Sequence, residues 1–180
     1  MPSRDLADLQ PEVEEAAKEM LSLCREAGLD VLVTCTVRSL REQGTLYKQG
    51  RTPEQILRAI GEMRERGFGI LANELLMSPD PRDGKIVTMA RPGESWHQWG
   101  YAFDVVPLRG GKAVWSVEGE DGKVWTQVGL CGEHAGLRWG GRWERFRDWP
   151  HFELLPPGGS LQKCMRGYER RLREEYGISA

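Results

Sequence analysis

The run LDVLVTCTVR, residues 29–38, constrains this chain most: it is rich in β-branched side chains and begins where a helix is told to stop. Ahead of it, residues 11–27 place Val13, Ala16, Ala17, Met20, Leu21 and Cys24 on one helical stripe, opened by Pro11 and closed by Gly28. An amphipathic helix therefore feeds a buried strand whose C-terminal end delivers Arg38. Ser39 is then placed to cap a second helix, LREQGTLYKQG, on which Gln43 and Tyr47 lie four apart and share a face. The strand-to-helix junction is a candidate cleft wall.

Further along, residues 53–66 read as a helix, and the stretch from there to residue 84 reads as an excursion from the main body. KIVTMA, YAFDVVPL and GKAVW are strand candidates separated by the turn signals RPGES, PLRGG and EGEDG. A helix is expected over roughly residues 122–135, a short strand at PHFEL, and a charged helix over 160–176. Helices and strands alternate without the regular spacing of a parallel sheet. The expectation is an α+β fold, a small antiparallel sheet flanked by helices with the site in a cleft on the sheet. A length of 180 residues suits one domain spanning 1–180.

Composition excludes some classes of function. With 25 basic against 27 acidic residues, no overall field draws the chain to nucleic acid or an anionic surface. No apolar run approaches the length needed to span a bilayer, so membrane insertion is not expected, and the start MPSRDLADLQPEVEEAA has no apolar signal region. Cytoplasmic synthesis is the expectation. Cys24, Cys35, Cys131 and Cys164 are widely spaced and form no CxxC pair, so four reduced thiols are expected, the first three packed as small hydrophobes.

Chemistry gathers in two segments. GESWHQWGYAFDVVP carries His97 and Asp104 seven apart, and DWPHFEL carries Asp148 and His151 three apart. A catalytic zinc commonly takes three protein ligands from imidazole nitrogen and carboxylate oxygen and keeps a fourth position for water. His97, Asp104 and His151 meet that requirement. Fully extended, residues 97 and 104 would lie more than roughly 20 Å apart, so the chain must turn between them, and Gly100 permits the turn. Asp148 stands where a carboxylate can take a proton from the attacking water and return it to the leaving amine. Pro150 stiffens the Asp148–His151 offset. Arg38 offers a planar fork of donors for a substrate carboxylate or a developing oxyanion.

Other residues receive plainer readings. His134 sits in a helical stretch without a ligand-like neighbour and is read as structural. Glu144 and Glu153 are alternative bases to Asp148, and the tryptophans at 96, 99, 139, 143 and 149 serve packing at least as well as substrate stacking. No HExxH segment offers a competing zinc site.

SWHQWGYAFD resembles the SxHxxGxAxD signature of the zinc peptidases that include D-Ala-D-Ala dipeptidases, VanY-like D,D-carboxypeptidases and the L-alanyl-D-glutamate endopeptidases of phage endolysins. GLRWGGRWERFRDWPHFEL is similar to the family's GLxWGGxW stretch and its DxPHFE ending, and RSLREQGTLYKQGRT and GKIVTMARPGES are similar to further family segments. The likeness covers most of residues 29–155, the core, with 53–83 an apparent insertion. It implies zinc bound by His97, Asp104 and His151, Asp148 as catalytic acid/base, and Arg38, Ser95 and Gln43 as substrate contacts. The family often has Glu where Asp148 stands, and the Asp favours its endopeptidase branch. The function so implied is a phage or prophage endolysin, a monomer cutting the L-Ala-D-Glu bond of the peptidoglycan stem peptide after reaching the wall through a membrane lesion. The alternatives are a D,D-carboxypeptidase or dipeptidase on D-Ala-D-Ala ends, and a non-catalytic zinc-bearing recognition module.

Overall fold

The structure, a computed structural model, describes residues 2–81 and 83–177. In chain order its elements are α1 (Pro11–Glu26), β1 (Asp30–Cys35), α2 (Leu40–Lys48), α3 (Pro53–Glu65), α4 (Gly69–Met77), β2 (Ala102–Arg109), β3 (Lys112–Ala113), α5 (Gly119–His134), β4 (Arg138–Trp139), β5 (His151–Glu153) and α6 (Leu161–Tyr176). They divide into two compact units. Pro2–Val37 with Trp99–Leu155 make a sheet unit, and Arg38–Gln98 with the stretch from Pro156 onward make a helical unit.

The sheet unit is antiparallel throughout, in the order β1-β2-β5-β4, with β3 also pairing β2. This is the expected α+β arrangement. Side chains alternate across a strand, so Phe103, Val105 and Phe152 enter the core while Asp104, His151 and Glu153 share the opposite face. The core also holds Val13, Ala17, Met20 and Cys24 of α1, the stripe read from the sequence, and Val128 of α5. Burying each large apolar side chain there contributes about 1.5–3 kcal/mol. Two glycines let α5 lie close on the aromatic layer: a Cβ at Gly129 would come within 2.3 Å of the Trp139 ring, and one at Gly132 within 2.2 Å of Phe152. Phe103, Phe152 and Trp139 stack in turn, with centroids 5.8 and 6.4 Å apart. That layer anchors β5, and β5 carries His151.

In the helical unit, α4 packs against α2, α3 and α6. Ile60, Met63, Phe68, Leu71, Leu75 and Met165 are buried in it. Ser39 and Thr52 each close a capping box, which fixes the starts of α2 and α3.

Several boundaries differ from the sequence reading, each for a local reason. GILANELLM, read as part of an excursion, is helix α4; it is apolar nearly all round and so shows no period. Residue 82 of that stretch lies outside the described residues. KIVTMA pairs with no strand among the described residues. Its carbonyls are taken by side chains instead, Gln49 donating to Lys85, Arg51 to Thr88 and Gln43 to Ala90. GKAVW keeps only the two-residue β3, and α5 begins at Gly119 rather than near 122. β1 ends at Cys35 after a register shift, so Arg38 follows the strand by three residues.

Candidate active site

On the sheet unit, Asp104 and His151 are direct cross-strand partners of β2 and β5. Asp104 Oδ1 lies 3.4 Å from His151 Nδ1, and both side chains are largely buried. Two ligands held at about 2.0–2.1 Å from one zinc in tetrahedral geometry are separated by about 3.3 Å. Borderline nitrogen and hard oxygen donors at this spacing fit zinc well. The turn between His97 and Asp104 is made at Gly100, which has a φ of +73°.

The other nitrogen of His151 faces a second carboxylate, with Nε2 3.2 Å from Glu153 Oε2. Cys35, the β1 partner of Asp104, brings its sulfur within 4.8 Å of the Asp104 carboxylate. Sequence reading treated Cys35 as packing. Its place beside Asp104 follows from strand register, which no spacing in the sequence announces.

Asp148 is held by a short turn. Its carbonyl accepts from the His151 N–H at 3.2 Å, and its own N–H donates to the Gly140 carbonyl at 3.1 Å. Trp149 and Pro150 are the central residues of that turn, and the Pro150 carbonyl accepts from the Val105 N–H at 3.0 Å. Trp139 donates its indole N–H to the Trp149 carbonyl at 2.9 Å and packs edge-on against the Trp149 ring. Trp143 tilts over the His151 ring at 5.1 Å. These tryptophans pin the loop, as the packing reading expected.

On the helical unit, Arg38 is bonded to Gln43 and His97, and Ser95 joins Gln43 through Gln98. Arg38 Nη1 donates to Gln43 Oε1 at 2.9 Å, and the Arg38 N–H donates to the His97 carbonyl at 3.3 Å. Gln43 is fully buried, its amide nitrogen donating to the Ala90 carbonyl at 2.7 Å. Gln98, which sequence reasoning passed over, donates to Gln43 Oε1 at 3.2 Å and accepts from the Ser95 N–H at 3.1 Å. His97 is buried. His134 is exposed at the end of α5.

Nearby, the Arg91 guanidinium grips Glu94 with two hydrogen bonds, the backbone N–H of Arg91 adds a third, and the guanidinium reaches Glu62 as well. Burial alone would raise the Glu94 carboxyl, but the Arg91 hydrogen bonds and charge, helped by Arg66, hold it below the usual carboxylate range. These contacts anchor the residue that immediately precedes Ser95.

A family described as D-alanyl-D-alanine carboxypeptidase matches residues 89–154, the span that contains Ser95, His97, Asp104, Asp148 and His151. The peptidoglycan L-alanyl-D-glutamate endopeptidase CwlK of Bacillus subtilis is 34% identical over 155 residues, which are 83% of this chain and 75% of that protein. The chain belongs to this family of zinc-dependent, peptidoglycan-hydrolysing peptidases. Among solved structures, the Serratia marcescens L-Ala D-Glu endopeptidase ChiX is 20% identical, covering 86% of this chain and 88% of its own, at a TM-score of 0.47. A vancomycin-resistance D,D-pentapeptidase, VanY with Zn(II), is 15% identical, covering 88% of this chain and 78% of its own, also at 0.47. At those scores neither likeness carries weight.

Proposed function

We propose that the chain cuts the L-alanyl-D-glutamate bond of the peptidoglycan stem peptide, using His97, Asp104 and His151 as zinc ligands and Asp148 as acid/base. The observation that carries the site is the Asp104–His151 pair, which sets two donors at the spacing one zinc requires. The choice of bond rests on the likeness to CwlK across most of the chain. Bound zinc supplies a water that ionises near neutral pH and polarises the scissile carbonyl.

The chain's own residues do the rest. Asp148, in its turn against Gly140, accepts the proton of the attacking water and returns it to the departing amine nitrogen. Arg38 holds a substrate carboxylate, that of D-Glu, through the planar fork of its guanidinium. Gln43 supports that role from behind: its buried amide orients Arg38, so it acts on substrate through Arg38. Ser95 stands beside this group as a further substrate contact, its backbone tied to Gln98. In the same reading the enzyme is a monomeric phage or prophage endolysin.

The family description favours one second reading, removal of a terminal D-Ala. Incubating the enzyme with intact wall and with a short peptide ending in D-Ala-D-Ala, then identifying new termini, separates the two. New D-Glu amino ends without D-Ala release are expected. Free D-Ala with no new D-Glu ends would overturn the endopeptidase reading in favour of the second. Asp148→Ala should keep its zinc and lose about 10²–10⁴-fold in turnover; wild-type hydrolysis by that variant would move the acid/base role to another group.

A further inference from the structure

Glu153 enters the sequence reading as the last residue of the DxPHFE ending and as an alternative base. Its surroundings suit a different task. It is 5% exposed, on a strand whose three residues are all buried. A carboxylate buried to that degree is costly unless each oxygen finds a partner. Both do: Oε1 pairs with Arg138 Nη1 at 3.2 Å, and Oε2 lies 3.2 Å from His151 Nε2. The sheet register produces the arrangement. Glu153 is two residues beyond His151 on β5 and so shares its face, Arg138 is its direct partner on β4, and Ala102 is its partner on β2. The result is one line of side chains across three strands: Arg138, Glu153, His151 and Asp104.

We infer that Glu153 is a positioning residue, accepting the Nε2–H of His151 and so presenting Nδ1 to the metal on the Asp104 side. An imidazole bonded to a carboxylate through one nitrogen has its tautomer and ring plane fixed for coordination through the other, and it gains basicity there. The exposed Arg138 fixes one carboxylate oxygen, which leaves the other directed at the ring. As a base Glu153 would need to reach the attacking water, yet its two oxygens are occupied by His151 and Arg138. The inference rests on the proposed role of His151 as a zinc ligand.

The test measures zinc affinity by chelator competition for the wild type, Glu153→Gln, Glu153→Ala, Arg138→Ala and His151→Ala, with ¹⁵N spectra of the His151 ring in the folded proteins. Wild type should show His151 protonated at Nε2. Zinc affinity should fall about 10–100-fold in Glu153→Ala. The Gln variant, which retains one acceptor oxygen, should fall less and should keep the Nε2–H signal, a rescue that loss of packing alone would not give. Arg138→Ala should have the smallest effect. Full zinc affinity in His151→Ala would refute the ligand assignment itself. A loss in His151→Ala together with wild-type affinity and tautomer in both folded Glu153 variants would overturn the positioning role and leave the ligand assignment standing.

Discussion

Gly140 underlies both the candidate base and a candidate ligand, and replacing it with alanine tests the geometry of the 148–151 turn directly. A Cβ at Gly140 would lie 2.5 Å from the Asp148 carbonyl oxygen, 3.1 Å from His151 Cβ and 3.3 Å from Asp148 Cβ. Ordinary contact begins near 3.4 Å, so the turn or Gly140 must move by 3.4 − 2.5, or 0.9 Å. The first obstacle is backbone, which cannot swing aside as a flexible side chain can. The Gly140 carbonyl also accepts from the Asp148 and Trp143 N–H groups, so any shift carries both along. Overpacking of this kind costs about 1–3 kcal/mol in stability. A displacement near 1 Å at a reacting group can cost about 10²-fold in rate. Gly140→Ala should therefore fold with a lowered Tm and release stem-peptide products about 10²-fold more slowly than wild type. The assay is the initial rate of new amino termini from purified wall, with thermal unfolding measured on the same samples. Wild-type rate at wild-type Tm would refute the claim that this turn positions Asp148 and His151.

Gly61 of α3 is the matching control: a Cβ there meets nothing within 4 Å, so Gly61→Ala should leave the rate unchanged and stabilise by about 0.5–1 kcal/mol, read as a raised Tm. The Cys24 thiol is pushed up from 9.0 to about 12 by burial, with Cys131 adding to the effect. A raised folded value means its contribution is fully present below pH 9.0 and lost as pH climbs toward 12; urea unfolding between pH 8 and 10.5 should therefore show wild type losing stability more steeply than Cys24→Ala. Glu94 is shifted the other way, so its contribution is present above pH 4.5 and lost on acidification, and Glu94→Gln should flatten the acid limb of the stability curve.

Much of this was legible in the sequence where a single element carries the signal. Pro11 and Gly28 bound α1, Ser39 caps α2, and the alternation Phe103, Asp104, Val105 announces a strand with one polar residue turned away from the core. His97, Asp104, Asp148 and His151 stood out through donor type and spacing. Features that depend on pairing were not legible. That Cys35 and His151 flank Asp104 is a fact of register between strands far apart in the chain. Glu153 and Arg138 face each other for the same reason. KIVTMA failed as a strand because its carbonyls found side-chain donors on and just after α2, an outcome that local propensity cannot anticipate.

Each unit holds its own candidate residues by a different kind of contact, and the proposed ligand His97 belongs to the helical unit. Residues that would hold substrate, Arg38, Gln43 and Ser95, belong to the helical unit and are tied together through side-chain amides, chiefly Gln43 and Gln98. The sheet unit supplies Asp104, His151 and Asp148, set by strand register and a tight turn. Hydrogen-bonded strands over a stacked aromatic layer suit metal donors, whose spacing tolerates errors of only about 0.2 Å. An amide-held guanidinium suits a substrate group, because one planar fork accepts carboxylates in several peptide contexts. Arg38 also donates its N–H to the carbonyl of His97, so the group proposed to read the substrate is tied to one proposed zinc ligand, whereas Asp104 and His151 are set by strand register.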